Sequence, residues 1–193
     1  MAKDENAIDY FAVFNEERRP WLDPDGLKET YQKLALALHP DTRPQEHERD
    51  EFKVLTEAYR ILSDPKLRLH HLLQLEGSDP GKTNAIPESL LDLFSRIGDF
   101  IARATKFWTR WQEATNALSK SVLQGELRAV QREADQLLAD TTELFRQADR
   151  TTRALNPSWR LHLSEIDQVY QVFGFVTRWL AQLSEWKFRL DNG

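Results

Sequence analysis

The sequence predicts an all-α protein: a group of short helices around a helical hairpin, then an antiparallel bundle of three long helices. Three observations carry that expectation. Apolar residues recur three and four apart over most of the 193 residues. Glycine is rare, at seven, and several of the eight prolines stand where a helix would start or stop. No stretch alternates convincingly at strand spacing. The segment QVFGFV, residues 171–176, alternates weakly but sits inside an unbroken helical period.

Tyr10, Phe11 and Phe14 predict a short first helix over about Ala7 to Phe14. Asp23 caps the second helix and Pro24 takes its first position, where the missing N–H is harmless. Its stripe is Leu27, Tyr31, Leu34, Ala35 and Leu38, and it is expected to reach His39, where Pro40 stops it. A third helix, about Gln45 to Leu62, carries Phe52, Leu55, Ala58, Tyr59 and Leu62. Asp64 and Pro65 open a fourth that Gly77 closes.

The segment Glu76 to Pro87 gathers two glycines, two prolines, Ser78, Asp79 and Asn84, a dense set of turn formers. It divides the chain into an N-terminal domain, 1–77, a linker, 78–86, and a C-terminal helical domain, 87–193. Three long helices are expected there. The first runs from about Pro87 to Leu118, with a bend allowed at Gly98. The second runs from about Gly125 to Leu155, and the third from about Ser158 to Leu190, with Asn156 as its cap after the break at Pro157. Thirty helical residues make a rod of roughly 45 Å, and short turns between such rods give an antiparallel bundle.

Composition narrows the function. The chain has no cysteine, which excludes disulfides, thiolate metal sites and thiol catalysis. No run approaches the ~20 apolar residues of a membrane span, and the start, MAKDENAIDYF, lacks the apolar core of an export signal. The expectation is a cytoplasmic protein. The net charge of −5 lies in residues 1–77, with 11 basic and 16 acidic side chains, while residues 78–193 hold 15 of each. Neither part is a basic stripe, so nucleic acid is not the expected partner.

Catalysis finds no support. There is no glycine-rich phosphate loop and no nucleophile elbow. His70 and His71 are adjacent and point to different sides of a helix, which makes a poor metal pair. Acidic residues are spread over solvated faces, as in the i,i+4 pair Glu29 and Lys33. No enzyme, metal or cofactor is expected.

One triplet stands apart: His39-Pro40-Asp41, between two amphipathic helices. By itself it reads as a helix-terminal cation, a helix stop and a turn former. Its surroundings add more. YFAVF, then YQKLALALHPD, then FKVLTEAYRILSDPKLR stand in an order that resembles the J domain of DnaJ-type co-chaperones over about residues 8–77. The resemblance implies an activator of a DnaK-class chaperone's ATP hydrolysis. Asp41 would pair with an arginine of the chaperone's nucleotide domain, and His39 and Pro40 would shape the loop and touch the interdomain contact. Lys28 and Lys33 would meet an acidic patch, with Tyr31, Arg43 and Lys53 as further contacts. The second helix departs from the family pattern: Ala37 and Leu38 replace a common lysine and tyrosine, and Gln32 replaces a frequent lysine.

Beyond the J-like segment there is no glycine- and phenylalanine-rich linker and no cysteine-rich module. A J-like segment joined to helices alone resembles the HscB type of co-chaperone, which serves iron–sulfur cluster assembly. DYFAVF, RLHHLLQLEG and the closing VYQVFGFVTRWLAQLSEWKFRL are similar to that type. The resemblance implies a client, an iron–sulfur scaffold protein, held on the first bundle helix. Leu90, Leu91, Asp92 and Phe94 are the candidate contacts, though the dense glutamates of the family are missing. Trp108 and Trp111, one turn apart, are a second candidate client patch. The competing reading is a helical adaptor with a J-like fold that no longer stimulates ATP hydrolysis.

Overall fold

The computed structural model describes residues 8–38, 46–78, 80 and 86–193. Among them the regular elements are all helical: α1 (Tyr10–Val13), α2 (Pro24–Ala37), α3 (Glu46–Ser63), α4 (Pro65–Leu75), α5 (Leu91–Glu113), α6 (Ala117–Leu155) and α7 (Leu163–Asn192). Short 3₁₀ turns precede α5 at Glu88–Leu90 and α7 at Asn156–Leu161. None of these helices is long and apolar enough to cross a membrane. The chain packs as two compact units. One joins Met1–Asn84 with Asp149–Gln171; the other joins Ala85–Ala148 with Val172–Gly193.

In the first unit the sequence signals act locally. The Asp23 carboxylate accepts the Gly26 N–H at 3.1 Å, and the Asp64 carboxylate accepts the Leu67 N–H at 2.9 Å, so both helices begin with one orphan donor satisfied. Helix α4 ends as Gly77 turns into the left-handed region, φ 76°. There the Gly77 N–H donates to Gln74 and the Ser78 N–H to Leu73, which satisfies two last-turn carbonyls. Asn15, φ 55°, closes α1 the same way, with the Glu16 N–H donating to Phe11. Helix α1 is shorter than expected because Asp9 caps it, accepting the Phe11 N–H. Helix α2 stops at Ala37, with Leu38 as its cap, two residues short of the expected end. Helices α2 and α3 pack as a hairpin over Leu27, Leu55, Ala58 and Leu62.

This unit also takes in the tip formed by the end of α6, the 3₁₀ turn and the start of α7, which the sequence pattern assigns to the bundle. The reason lies in side chains far apart in sequence. The Asn156 amide forms a reciprocal pair with the Trp21 backbone, accepting its N–H at 2.9 Å and donating to its carbonyl at 3.0 Å. Arg153 lies over the Trp21 ring at 4.6 Å, and Trp159 is buried. Asn156 therefore does not cap α7, which begins after the turn at Leu163.

The second unit is an antiparallel three-helix bundle with a heptad seam. On the α5 side Leu90, Leu93, Ile97, Phe100, Ala104, Phe107, Trp111 and Ala114 are all buried, at alternating spacings of three and four. They close on Val130, Ala134 and Leu137 of α6 and on Trp179, Leu183 and Leu190 of α7. Direction and register can be read from three ion pairs: Arg96 with Asp140, Arg103 with Glu133, and Arg110 with Glu126. Each rung moves seven residues forward on α5 and seven back on α6. These pairs are partly solvated and each adds at most about 1 kcal/mol; their role is to fix register. Lys187 with Asp135, and Gln131 with the Leu190 carbonyl, set α7 antiparallel to α6.

Helix α5 continues unbroken through Gly98 and stops at Glu113, five residues before the expected end. Ala114 turns extended, and the Asn116 carboxamide accepts the Ser119 N–H at 2.8 Å to start α6 at Ala117. Leu118 thus belongs to α6 and is 77 % exposed, not part of the α5 stripe.

Candidate functional site

The sequence places the candidate chaperone contact on α2 and the segment between α2 and α3. His39, Pro40, Asp41 and Arg43 lie outside the described residues. The helices on either side are described, and they fix which face of α2 points outward. Leu27 is buried, and Tyr31, Leu34 and Leu38 are half-buried against the hairpin. The helical period then turns Asp25, Lys28, Glu29, Gln32, Lys33, Leu36 and Ala37 to solvent. Lys28 and Lys33 are both exposed, separated by about 140° around the helix. They present cations on two flanks of the outer face. Tyr31 is different in kind: its ring stacks on Tyr59 of α3, centroids 4.2 Å apart and planes at 16°. It holds the hairpin together and is only half accessible. Lys53 is exposed on α3 and held by Asp50 at 2.9 Å, so part of its charge is already neutralised.

Helical phase also turns outward a residue that the motifs do not single out. Leu36, three residues after Lys33 and four after Gln32, is 75 % exposed. On the other side of α2, where its inner face meets α1 and α3, a groove of ≈ 410 Å³ is lined by Val13, Leu34, Leu38, Asp50, Glu51, Val54 and Leu55. The outer face of α2 thus mixes two lysines with an exposed leucine.

The scaffold behind this face rests on α4. Arg68 is buried, and its guanidinium donates Nε–H to the Pro20 carbonyl at 2.8 Å and a second N–H to the Leu62 carbonyl at 2.6 Å. Burial draws its pKa down to about 10, against the opposing pull of Asp149 and Asp64, so it stays charged at neutral pH. Arg18 joins Asp9 at 2.8 Å to Glu76 at 3.3 Å, tying the start of α1 to the end of α4.

The candidate client residues divide by the phase of α5. Leu90 and Trp111 occupy the buried seam and offer no surface. Leu91 and Phe94, one position off the seam, are 49 % and 48 % exposed, and Asp92 between them is exposed. The Phe94 ring rests near Trp179, centroids 6.3 Å apart, which leaves one edge to solvent. Trp108 is half-buried against the bundle core. Among the described residues no group of three histidine or acidic side chains is arranged to hold a metal ion.

Comparison with known proteins adds to this geometry. Residues 9–71 match the family model of the DnaJ domain. Human DnaJ homolog subfamily A member 4 is 33 % identical over 108 residues, which cover 53 % of this chain and 25 % of that protein. The chaperone protein DnaJ of Leifsonia xyli is 42 % identical over 60 residues, 31 % of this chain and 16 % of its own length. The chain thus spans a quarter or less of these curated relatives. The crystal structure of human co-chaperone protein HscB matches 96 % of this chain and 83 % of its own, with a TM-score of 0.50 and 16 % identity. That likeness establishes the fold: a J domain at the N-terminal end of an HscB-like, all-helical architecture.

Proposed function

We propose that this chain, which carries a J domain over residues 9–71, is a co-chaperone of a DnaK-class chaperone. It docks on the ATP-loaded partner, accelerates ATP hydrolysis and hands over a client. The observation that carries the reading is the match to the DnaJ domain, with His39-Pro40-Asp41 in the sequence between the two hairpin helices. A J domain makes and breaks no bonds. It acts by binding one state of its partner better than the other, which shifts the partner's equilibrium by the difference in affinity. Asp41 would supply the charge that pairs with the partner's arginine, and His39 and Pro40 the shape of the turn. Lys28 and Lys33, on the flanks of the outer α2 face, would set encounter and orientation. Gln32, Leu36 and Ala37 leave that face poor in cations, so apolar contact carries more of the affinity than charge. The test is single-turnover ATP hydrolysis by the partner, stimulated by this chain and not by His39→Gln.

The finer reading concerns the client. The HscB-like architecture and the exposed Leu91, Asp92 and Phe94 on α5 support an iron–sulfur scaffold protein as the client, in the cytoplasm. Leu91→Ser with Phe94→Ser is expected to weaken scaffold binding at least tenfold in calorimetry, since two half-exposed apolar anchors are lost, while stimulation of the partner's ATP hydrolysis stays intact. Unchanged scaffold affinity would move the client contact off this face.

A further inference from the structure

The pair His70-His71 has no part in the proposed function, yet His71 is buried in α4 and bonded to the start of another helix. Its Nε2 accepts the backbone N–H of Tyr10, the first residue of α1, at 3.2 Å. The neighbouring Phe11 N–H goes to the Asp9 carboxylate at 3.0 Å. The histidine is thus a long-range cap on one orphan donor of α1, reaching across 61 residues of sequence. Its ring also packs on Tyr10, centroids 4.8 Å apart, and stacks on Phe11 at 5.9 Å.

A nitrogen that accepts a hydrogen bond must carry a lone pair, so this arrangement requires the Nδ1–H tautomer of neutral imidazole. We propose that His71 is a pH-sensitive clasp, holding α1 on α4 in its neutral form and releasing it when protonated. Protonation would set Nε2–H against the Tyr10 N–H, donor to donor. It would also place a cation at the positive end of a helix.

Charges from each neighbouring element act on this histidine. On the α1 side, Asp9 favours the proton, but its carboxylate is already engaged by the Phe11 N–H and by Arg18 at 2.8 Å. Arg18, in the segment after α1, and His70, the neighbour on α4, both oppose it. Glu76 at the end of α4 is bound to Arg18. On α3, Arg60 is paired with Glu57 and lies within electrostatic range of Tyr10. Burial is the largest influence and pushes His71 below the ordinary histidine value.

An unfolded histidine takes up its proton near 6.5, and the folded one takes it up at lower pH. The folded state therefore binds fewer protons as pH falls through 6.5. The stabilisation is complete above that value and is lost toward the folded pKa. The part released is the layer of Phe11 and Phe14, both buried.

The experiment uses the full chain. Long-range ¹H–¹⁵N spectra of the imidazoles at pH 7.5 are expected to show His71 as the Nδ1–H tautomer, titrating below 6.5. Amide protection at Phe14 and Glu16, corrected for intrinsic exchange, is expected to fall between pH 7.5 and 5.0 by up to about thirtyfold, the limit for one imidazole. His71→Gln keeps an acceptor without a titration and should flatten that dependence; His70→Gln should leave it in place. An Nε2–H tautomer in the wild-type chain, or the same pH dependence in His71→Gln, overturns the proposal. The tautomer alone decides it if the variant does not fold.

Discussion

Phe100→Ala is expected to destabilise the helical bundle by about 3–5 kcal/mol, the range for truncating a fully buried phenylalanine. Phe100 is 0 % exposed and stands in the middle of the α5 seam, between Ile97 and Ala104. Ala104 is already small, so two successive seam positions would be left without bulk and the cavity could not close by a rotamer change on the same helix. Hydrogen exchange of the slowest α5 amides reads the effect. Their protection should drop by roughly two to four orders of magnitude. Phe188→Ala is the matched control: Phe188 is largely exposed on α7, and its loss should stay within about 0.5 kcal/mol. A cost below about 1 kcal/mol for Phe100→Ala would mean that the seam is not the core of this unit.

Arg68→Met is the second large effect, expected at about 2–4 kcal/mol. The substitution keeps most of the volume but leaves the Pro20 and Leu62 carbonyls, both on buried residues, without the guanidinium. Removing the charge also removes its desolvation cost, which holds the loss below that of breaking a buried ion pair. Arg68→Lys should recover part of the loss, because an ammonium serves one carbonyl well and cannot reproduce the fork that spans two. Protection of the α4 amides measures both. Equal losses for Met and Lys would point to packing of the side chain, and not the two hydrogen bonds, as its contribution.

The α-helical class, the hairpin and the long bundle helices were legible because each depends on local chemistry. Asp23-Pro24 and Asp64-Pro65 carry their helix starts within four residues, and the structure begins α2 and α4 there. The end of α5 was not legible, for an instructive reason. Trp111, Ala114 and Leu118 continue the three-four spacing across a chain reversal, so the period runs on while the backbone turns back at Ala114–Asn116. Asn156 before a proline reads as a cap; its real partner, the Trp21 backbone, lies 135 residues away, and nothing local encodes it. The same holds for His71, whose adjacency to His70 argues against a metal pair but gives no hint of Tyr10.

The candidate site shows how phase outperforms composition. Leu90, Leu91, Asp92 and Phe94 form one apolar-acidic cluster along the chain. The heptad that runs Leu90, Leu93, Ile97, Phe100 turns the first of them inward and leaves Leu91 and Phe94 at the edge. The helical phase of α2 likewise exposes Leu36 beside Lys33. Both placements are encoded in spacing alone. The stacking of Tyr31 on Tyr59 is not, since it depends on how α3 folds back.

The central claim is that this J domain drives a DnaK-class chaperone. The most direct measurement is single-turnover hydrolysis of pre-bound ATP by each DnaK-class chaperone of the host. Wild-type chain and His39→Gln are compared at equal concentration. The account predicts that at least one chaperone is accelerated by the wild-type chain and returns to its basal rate with His39→Gln. A partner dedicated to cluster assembly would also support the iron–sulfur client. Acceleration of none of them, or equal acceleration by wild type and variant, would contradict the account and leave a helical adaptor in its place.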